Sequence, residues 1–294
     1  MLKIVEKTKL WFAMSLFIIV IGMGFMVTKG LNLGIDFKGG TVLTLGMNQK
    51  FDKVDVDKIV DKYAKGEYLS KTVDNGKDLE ITVKSDALSA DEIGTMVKEI
   101  KTEFKSSAVI SQDTIGASIG SELKSKAIYA LIIAVICMLI YVSFRFEFKF
   151  GAAAIIALLH DVLITLGVYA VFRIPVNAPF IAAILTIIGY SINDTIVIFD
   201  RIRENQRIMR KSSIDEIANT SVTQTFARSI NTVATVLISI IAVYVLVPSI
   251  RELSLPLIIG IAVGCYSSIF IASPVWVLLK KREMKARKNK RTVA

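Results

Sequence analysis

A carboxylate stands in sequence that otherwise reads as membrane-spanning. Between Phe180 and the charged pair Asp200 and Arg201, the run Gly189-Tyr190-Ser191-Ile192-Asn193-Asp194-Thr195-Ile196 sets Asp194 among apolar residues. Holding a carboxylate inside a bilayer costs on the order of 2.5–3.5 kcal/mol, so such a residue faces a bundle interior or a wet cavity and marks an ion or proton pathway. Ser191, Asp194 and Thr195 stand at i, i+3 and i+4 and share one helix face, with Asn193 beside it. Ile192, Ile196 and Phe199 form the opposite face, toward lipid or a neighbouring helix.

The polar face needs a partner, and the stretch Thr225 to Thr235 offers one. Arg228, Asn231, Thr232 and Thr235 repeat at i, i+3, i+4 and i+7, a second polar stripe headed by a cation. Arginine stays protonated, so in an Asp194–Arg228 pair only the carboxylate can carry an ion. The plainer reading is an Arg228 that snorkels to lipid headgroups. A third, weaker face pairs Asp161 with Thr165 at i, i+4, and there the plainer reading is a local hydrogen-bond acceptor. His160, the only histidine, is Asp161's neighbour in sequence but lies about 100° around the helix.

Six apolar runs must position these residues. The 294-residue chain is 53% hydrophobic with a mean hydropathy of +0.57, and a bilayer span needs about 20 apolar residues. The expected spans are Leu10–Val27, Ile128–Phe144, Gly151–Phe172, the Asp194 helix, Phe226–Val247 and Leu257–Leu279, with Pro248 to Pro256 as a turn. The first resembles a secretory signal but is too long and has no small-x-small cleavage pattern, so it is expected to be retained. The net charge of +10 is unevenly placed: residues 29–122 hold thirteen Lys plus Arg against sixteen Asp plus Glu. The excess falls on the N-terminus, the short turns (Arg201, Arg203, Arg207, Arg210, Lys211) and the tail from Lys280. This is a topology signal, with both termini inside, rather than a nucleic-acid surface. Ser213 and Glu216 read as a capping box opening a short interfacial helix. Cys137 and Cys265 read as small core residues, and Gly260, Gly264 and Ser268 as a ridge for close helix packing.

The outer segment reads as β-α-β-β-α-β, a ferredoxin-like order. A strand runs through Leu43, Leu45 and Met47, and helical spacing through Val56, Ile59, Val60 and Tyr63. Asp74-Asn75-Gly76 is a hairpin turn before Leu79, Ile81 and Val83, Ser89 and Glu92 form a capping box, and Ala108 to Ser111 closes the sheet. Ahead of it, Gly34 to Thr41 imitates a phosphate-binding loop, but Gly40 stands where the lysine belongs and no helix follows. Gly34, Asp36, Gly39 and Gly40 are therefore expected to form a tight junction, where glycine permits positive φ or close packing.

Four stretches in order resemble the SecF family of bacterial protein-export subunits, within the resistance-nodulation-division superfamily: Leu33 to Gly40, His160-Asp161, Gly189 to Asn205, and Phe226 to Thr232. The likeness covers essentially the whole chain. It implies an α-helical polytopic membrane protein of six transmembrane helices, with an α+β ferredoxin-like extracytoplasmic domain inserted between helices one and two. The expected division is 1–28 for the cytoplasmic N-terminus and first helix, 29–122 for the outer domain, 123–280 for five further helices, and 281–294 for a basic cytoplasmic tail. The resemblance further implies a place in the bacterial inner membrane, SecD as a separate partner, the SecYEG channel, and an unfolded polypeptide as cargo moved with a proton or sodium gradient. By position, Asp194 is the ion-pathway carboxylate, Arg228 its cation and Asp161 a further member. Ser191, Asn193, Thr195, Asn231 and Thr232 form the supporting polar face.

The residues add exclusions. No hydrolytic constellation, nucleotide loop or metal cluster is evident, so no enzyme activity and no cofactor beyond the coupling ion are expected, and energy must come from a gradient or a partner. An exporter of lipids or small molecules from the same superfamily is the alternative, although the outer segment is short for a porter cleft.

Overall fold

In this computed structural model, residues 2–73, 76–84, 87–145 and 147–293 are described. The chain divides into two compact units, Leu33–Tyr129 and Met1–Asn32 with Ala130–Ala294.

Helix α1, Thr8–Lys29, belongs to the larger unit; the smaller unit follows with α2 Ile35–Lys38, β1 Gly40–Gly46, α3 Lys53–Ala64, β2 Tyr68–Val73, β3 Asp78–Lys84, α4 Ala90–Glu103 and β4 Ala108–Ile115. The strands pair antiparallel in the order β2-β3-β1-β4, so the order β-α-β-β-α-β is present. Period-2 patterning makes one face of the sheet apolar, and Leu43, Leu45, Leu79, Ile81 and Val83 are buried there with Val56, Ile59 and Val60 of α3 and Met96 and Ile100 of α4. Asp52 caps α3 by accepting from Val54 N at 2.9 Å, and Ser89 with Glu92 completes the capping box of α4. The closing strand is longer than its sequence pattern indicates, because β4 stays paired with β1 as far as Ile115. Asp74 and Asn75 of the expected hairpin turn lie outside the described residues.

The glycine loop has two distinct constraints. Gly39 and Gly40 adopt φ of 76° and 139°, where a β-carbon is strained. Gly34 at φ −77° is open to any residue, and Asp36 lies in the first turn of α2. A β-carbon on Gly120 would lie 3.0 Å from Gly39 N and 3.2 Å from Phe37 C, so glycine lets helix α5, Ala117–Arg145, start against this loop.

The larger unit contains α1, the rest of α5, α6 (Phe148–Val171), α7 (Ala178–Ile208), α8 (Ile214–Leu246), α9 (Arg251–Ser267) and α10 (Ser273–Val293), the last two joined by a π-helical turn, Ser268–Ala272. Six helical stretches are long and apolar enough to cross a membrane. Its core is shared by α6, α7 and the α9–α10 helix, with Phe150, Phe199, Ala157, Ile269 and Trp276 buried. Against it lie α1 on α6, and α8 on α7 and α9. Cys265 is buried in this core, but Cys137 is exposed on α5, whose exposed surface is apolar from Ile128 to Phe144.

Several expected boundaries are corrected. The Asp194 helix passes Asp200 and Arg201 and ends at Ile208. Ser213 caps no separate interfacial helix: its hydroxyl accepts from Glu216 N at 3.2 Å and opens α8, one helix of 33 residues, because no Gly or Pro interrupts it. The Pro248–Pro256 turn shrinks to Pro248–Ile250, and Pro256 sits in the second turn of α9, where its missing N–H removes a single helical bond.

Residues 29–122 expressed alone are expected to give dispersed amide NMR signals, and a random-coil spectrum would refute an autonomous domain. Replacing fully buried Ile81 by Ala should lower its stability by about 2–5 kcal/mol in urea unfolding. Hydrogen bonds from the Ser89 backbone and hydroxyl hold Glu92 below the usual carboxylate range, and those from Lys62 and Tyr63 do the same for Glu99. Folding lowers both, so their contribution is present above the unfolded carboxylate value of about 4.3 and is lost as pH falls through the folded values. Acid unfolding of Glu99→Gln should accordingly depend less steeply on pH.

Candidate functional site

Asp161 and Asp194 both lie within apolar stretches of the larger unit, and their surroundings differ. Asp161 on α6 is 0% exposed. Its Oδ2 accepts from the Ser191 hydroxyl of α7 at 2.5 Å and from the Ser267 hydroxyl of α9 at 2.8 Å, and its Oδ1 lies 2.9 Å from His160 Nδ1. His160 Nε2 is 2.9 Å from Ser15 Oγ of α1. Thus one short carboxylate ties α6 to α7 and α9 directly and to α1 through the imidazole. Thr165, expected on the Asp161 face, instead donates to the Asp161 backbone carbonyl at 2.8 Å.

The helix approaches that allow this are made by small residues. A β-carbon on Gly260 would lie 2.2 Å from Ile187 Cδ1, and one on Gly264 would lie 3.1 Å from Ser191 Cβ. The small-residue ridge therefore meets α7 within this chain. On the other side, a β-carbon on Gly22 would be 2.6 Å from Gly167 Cα, which brings α1 close enough for Ser15 to reach His160. The π turn then begins at Ser268, next to Ser267, so consecutive hydroxyls serve two partners: Ser267 reaches Asp161, and Ser268 donates to Ser191 O at 3.3 Å and shares a 2.8 Å bond with Thr195.

Asp194 stands at the edge of a cleft of about 70 Å³ that Tyr190, Ser191, Asn193, Arg228 and Thr232 also line. The Ser229 hydroxyl donates to its Oδ1 at 2.6 Å, and Oδ2 is buried without a hydrogen-bond partner. Arg228 shares the cleft but makes no direct ion pair with Asp194, and among the described residues no side chain bonds to it. The facing surface of α8 is turned by one residue from the expected stripe: Val222, Thr225 and Ser229 are buried, while Arg228, Asn231 and Thr232 are exposed. Asn193 is exposed as well, and Thr235 donates to the Thr232 carbonyl at 2.8 Å. Ile192 and Phe199 face neighbouring helices, being 6% and 1% exposed.

Ser15, Ser229, Ser267, Ser268 and Tyr266 belong to these networks, and none was singled out from sequence for this role. A lone serine in an apolar run satisfies itself on its own helix and carries no signal. Only Ser268 stood out, as part of a packing ridge. Among the described residues no group of three His, Cys, Asp or Glu side chains converges on a metal position. Chemically, both carboxylates are surrounded by hydroxyls, which rotate and can donate to a carboxylate or accept from a carboxylic acid. Among the described residues, no Lys or Arg side chain is bonded to either carboxylate.

Two family descriptions match this chain: "protein export membrane protein SecD/SecF, C-terminal" over residues 95–282 and "SecD/SecF GG motif" over residues 24–50. Protein translocase subunit SecF of Sebaldella termitidis is 37% identical over 98% of this chain and 96% of its own length. Protein translocase subunit SecDF of Bacillus subtilis is 38% identical over 95% of this chain, which spans 38% of that protein. The crystal structure of SecDF, a translocon-associated membrane protein from Thermus thermophilus, superposes with a TM-score of 0.87 at 34% identity, covering 95% of this chain and 39% of that one.

With Asp194→Cys and Arg228→Cys across one cleft, a short bifunctional reagent should cross-link the pair in membranes, and absence of the product would place them apart. Gly260→Val should overpack the α7–α9 contact at a cost of about 1–3 kcal/mol, read as a lowered Tm in detergent.

Proposed function

This chain belongs to the SecD/SecF family of protein-export membrane proteins, and from that premise we propose that it couples an ion gradient to polypeptide export through its membrane carboxylates. It is a multi-pass membrane protein with an accessory role in protein export. Relatives in which SecD and SecF form one chain point to SecD as its partner. In the proposed assembly the pair stands beside the SecYEG channel of the bacterial inner membrane, with both termini of this chain in the cytoplasm and the outer unit contacting the emerging, unfolded polypeptide. The basic turns and tail support that orientation. The chain acts without enzymatic chemistry and without a cofactor other than its coupling ion, a proton or sodium.

The observation that carries this reading is Asp194, a membrane carboxylate with one hydroxyl donor, one unbonded oxygen and Arg228 across a cleft rather than in a locked ion pair. An unlocked carboxylate can load and unload. One charge crossing 100 mV supplies about 2.3 kcal/mol, enough to bias a two-state motion about 50-fold.

Asp194→Asn should abolish gradient-stimulated export while leaving the protein inserted and bound to its partner. Arg228→Lys, which retains the charge, should impair export less than Arg228→Ala. Gradient-stimulated secretion by Asp194→Asn at the normal rate, in membrane vesicles containing the assembled complex, would overturn the reading.

A further inference from the structure

The function proposed above does not use His160, the only histidine in the chain. It is 5% exposed, and both ring nitrogens have partners, Nδ1 at Asp161 Oδ1 and Nε2 at Ser15 Oγ, each at 2.9 Å. The bonding continues past Ser15. The Ser15 hydroxyl lies 3.3 Å from the Tyr266 hydroxyl, which donates to the Trp11 carbonyl at 3.1 Å. The Tyr266 ring also stacks on the imidazole, with centroids 5.8 Å apart and planes at 21°.

A count of protons gives this chain of groups its meaning. Tyr266 spends its single hydroxyl proton on the Trp11 carbonyl, so the one free rotor beside the ring is Ser15. With a neutral imidazole, Nδ1–H donates to Asp161 and Ser15 donates to Nε2. With a doubly protonated imidazole, Nε2–H donates to the Ser15 oxygen, and Ser15 turns its own proton to Tyr266. Every donor and acceptor on the ring is satisfied in both states. A histidine held only for packing needs one such set of partners, whereas this one has two. Taking up the second proton at Nε2 beside the Asp161 carboxylate forms a buried imidazolium–carboxylate pair, and no other group changes its proton count.

We propose that His160 is a proton-binding residue of this protein, paired with Asp161, and that Ser15 transmits its charge state to α1. The inference rests on the ion-coupled reading above and adds a second group to it. Ser191 joins the two, since it lines the Asp194 cleft and its hydroxyl bonds to Asp161. The ionisable groups around the pair are Tyr266 on α9 and, beyond Ser191, Tyr190, Asp194, Cys265 and Arg228 lining the cleft, while α1 contributes Ser15 and the Trp11 carbonyl.

A single histidine makes the test site-specific. The full chain, labelled with ¹⁵N-histidine and assembled with unlabelled SecD in lipid bilayers, should show its imidazole passing from the neutral to the doubly protonated form as pH is lowered. Asp161→Asn, which removes the carboxylate, and Ser15→Ala, which removes the Nε2 partner, should each move that midpoint. An imidazole that stays in one form at every pH at which the unsubstituted protein remains folded overturns the proposal. The two readings fail separately: loss of gradient-stimulated export in Asp194→Asn with a non-titrating His160 sinks only the inference about His160. Normal export by Asp194→Asn with a titrating His160 sinks the coupling proposal and leaves the proton site standing.

Discussion

Removing a carboxylate from water costs several kcal/mol unless the protein replaces the lost hydrogen bonds, and at 0% exposure Asp161 depends entirely on its neighbours for them. Three donors from three positions meet that demand: His160 beside it, Ser191 on α7 and Ser267 on α9. Each donor is short, so the helices must approach closely, and this is why Gly260 and Gly264 lie where any β-carbon would collide with Ile187 or crowd Ser191. The same logic extends through the imidazole to α1, where Gly22 and Gly167 nearly touch. One acid–histidine pair therefore links four helices, α1, α6, α7 and α9.

Asp194 has the opposite design. It borders a cleft, has one hydroxyl donor at 2.6 Å and faces a guanidinium that it does not grip. A direct Arg–carboxylate fork would be among the strongest polar contacts available, and so would hold the carboxylate in one charge state. Leaving Arg228 across the cleft retains its field without a direct ion pair. The cleft volume of about 70 Å³ is several times the roughly 10–15 Å³ that one water needs, so the site is roomy enough to be wet. Ser191 sits between the two regimes, one side on the cleft and its hydroxyl on Asp161.

The smaller unit obeys simpler rules. Its sheet is apolar on one face, two capped amphipathic helices cover that face, and ion pairs such as Lys62 with Glu99 lie at the surface, where solvent weakens them. Its junction is the unusual part. Gly39 and Gly40 occupy positive φ, and Gly120 lets the first turns of α5 rest against that loop before the same helix runs on as the second apolar span.

Patterns that repeat along one segment were legible in sequence. Hydrophobic run length gave six spans, period-2 and period-3.6 spacing gave the order of strands and helices, Ser89 with Glu92 marked a helix start, and charged residues in apolar sequence pointed to Asp161 and Asp194. What one segment cannot encode is the rotation of a helix against its neighbour. That is why the α8 stripe read from Arg228 lies a residue away from the face that meets Asp194, where Ser229 is the donor. Boundaries failed where a charged pair or a proline was read as a stop, since α7 continues through Asp200 and Arg201 and α9 through the buried Pro256. The serines of the buried network were silent for the same reason: a hydroxyl in an apolar helix looks alike whether it bonds to its own carbonyl or to a carboxylate on another helix, and only the close approach of α1, α6, α7 and α9 decides which.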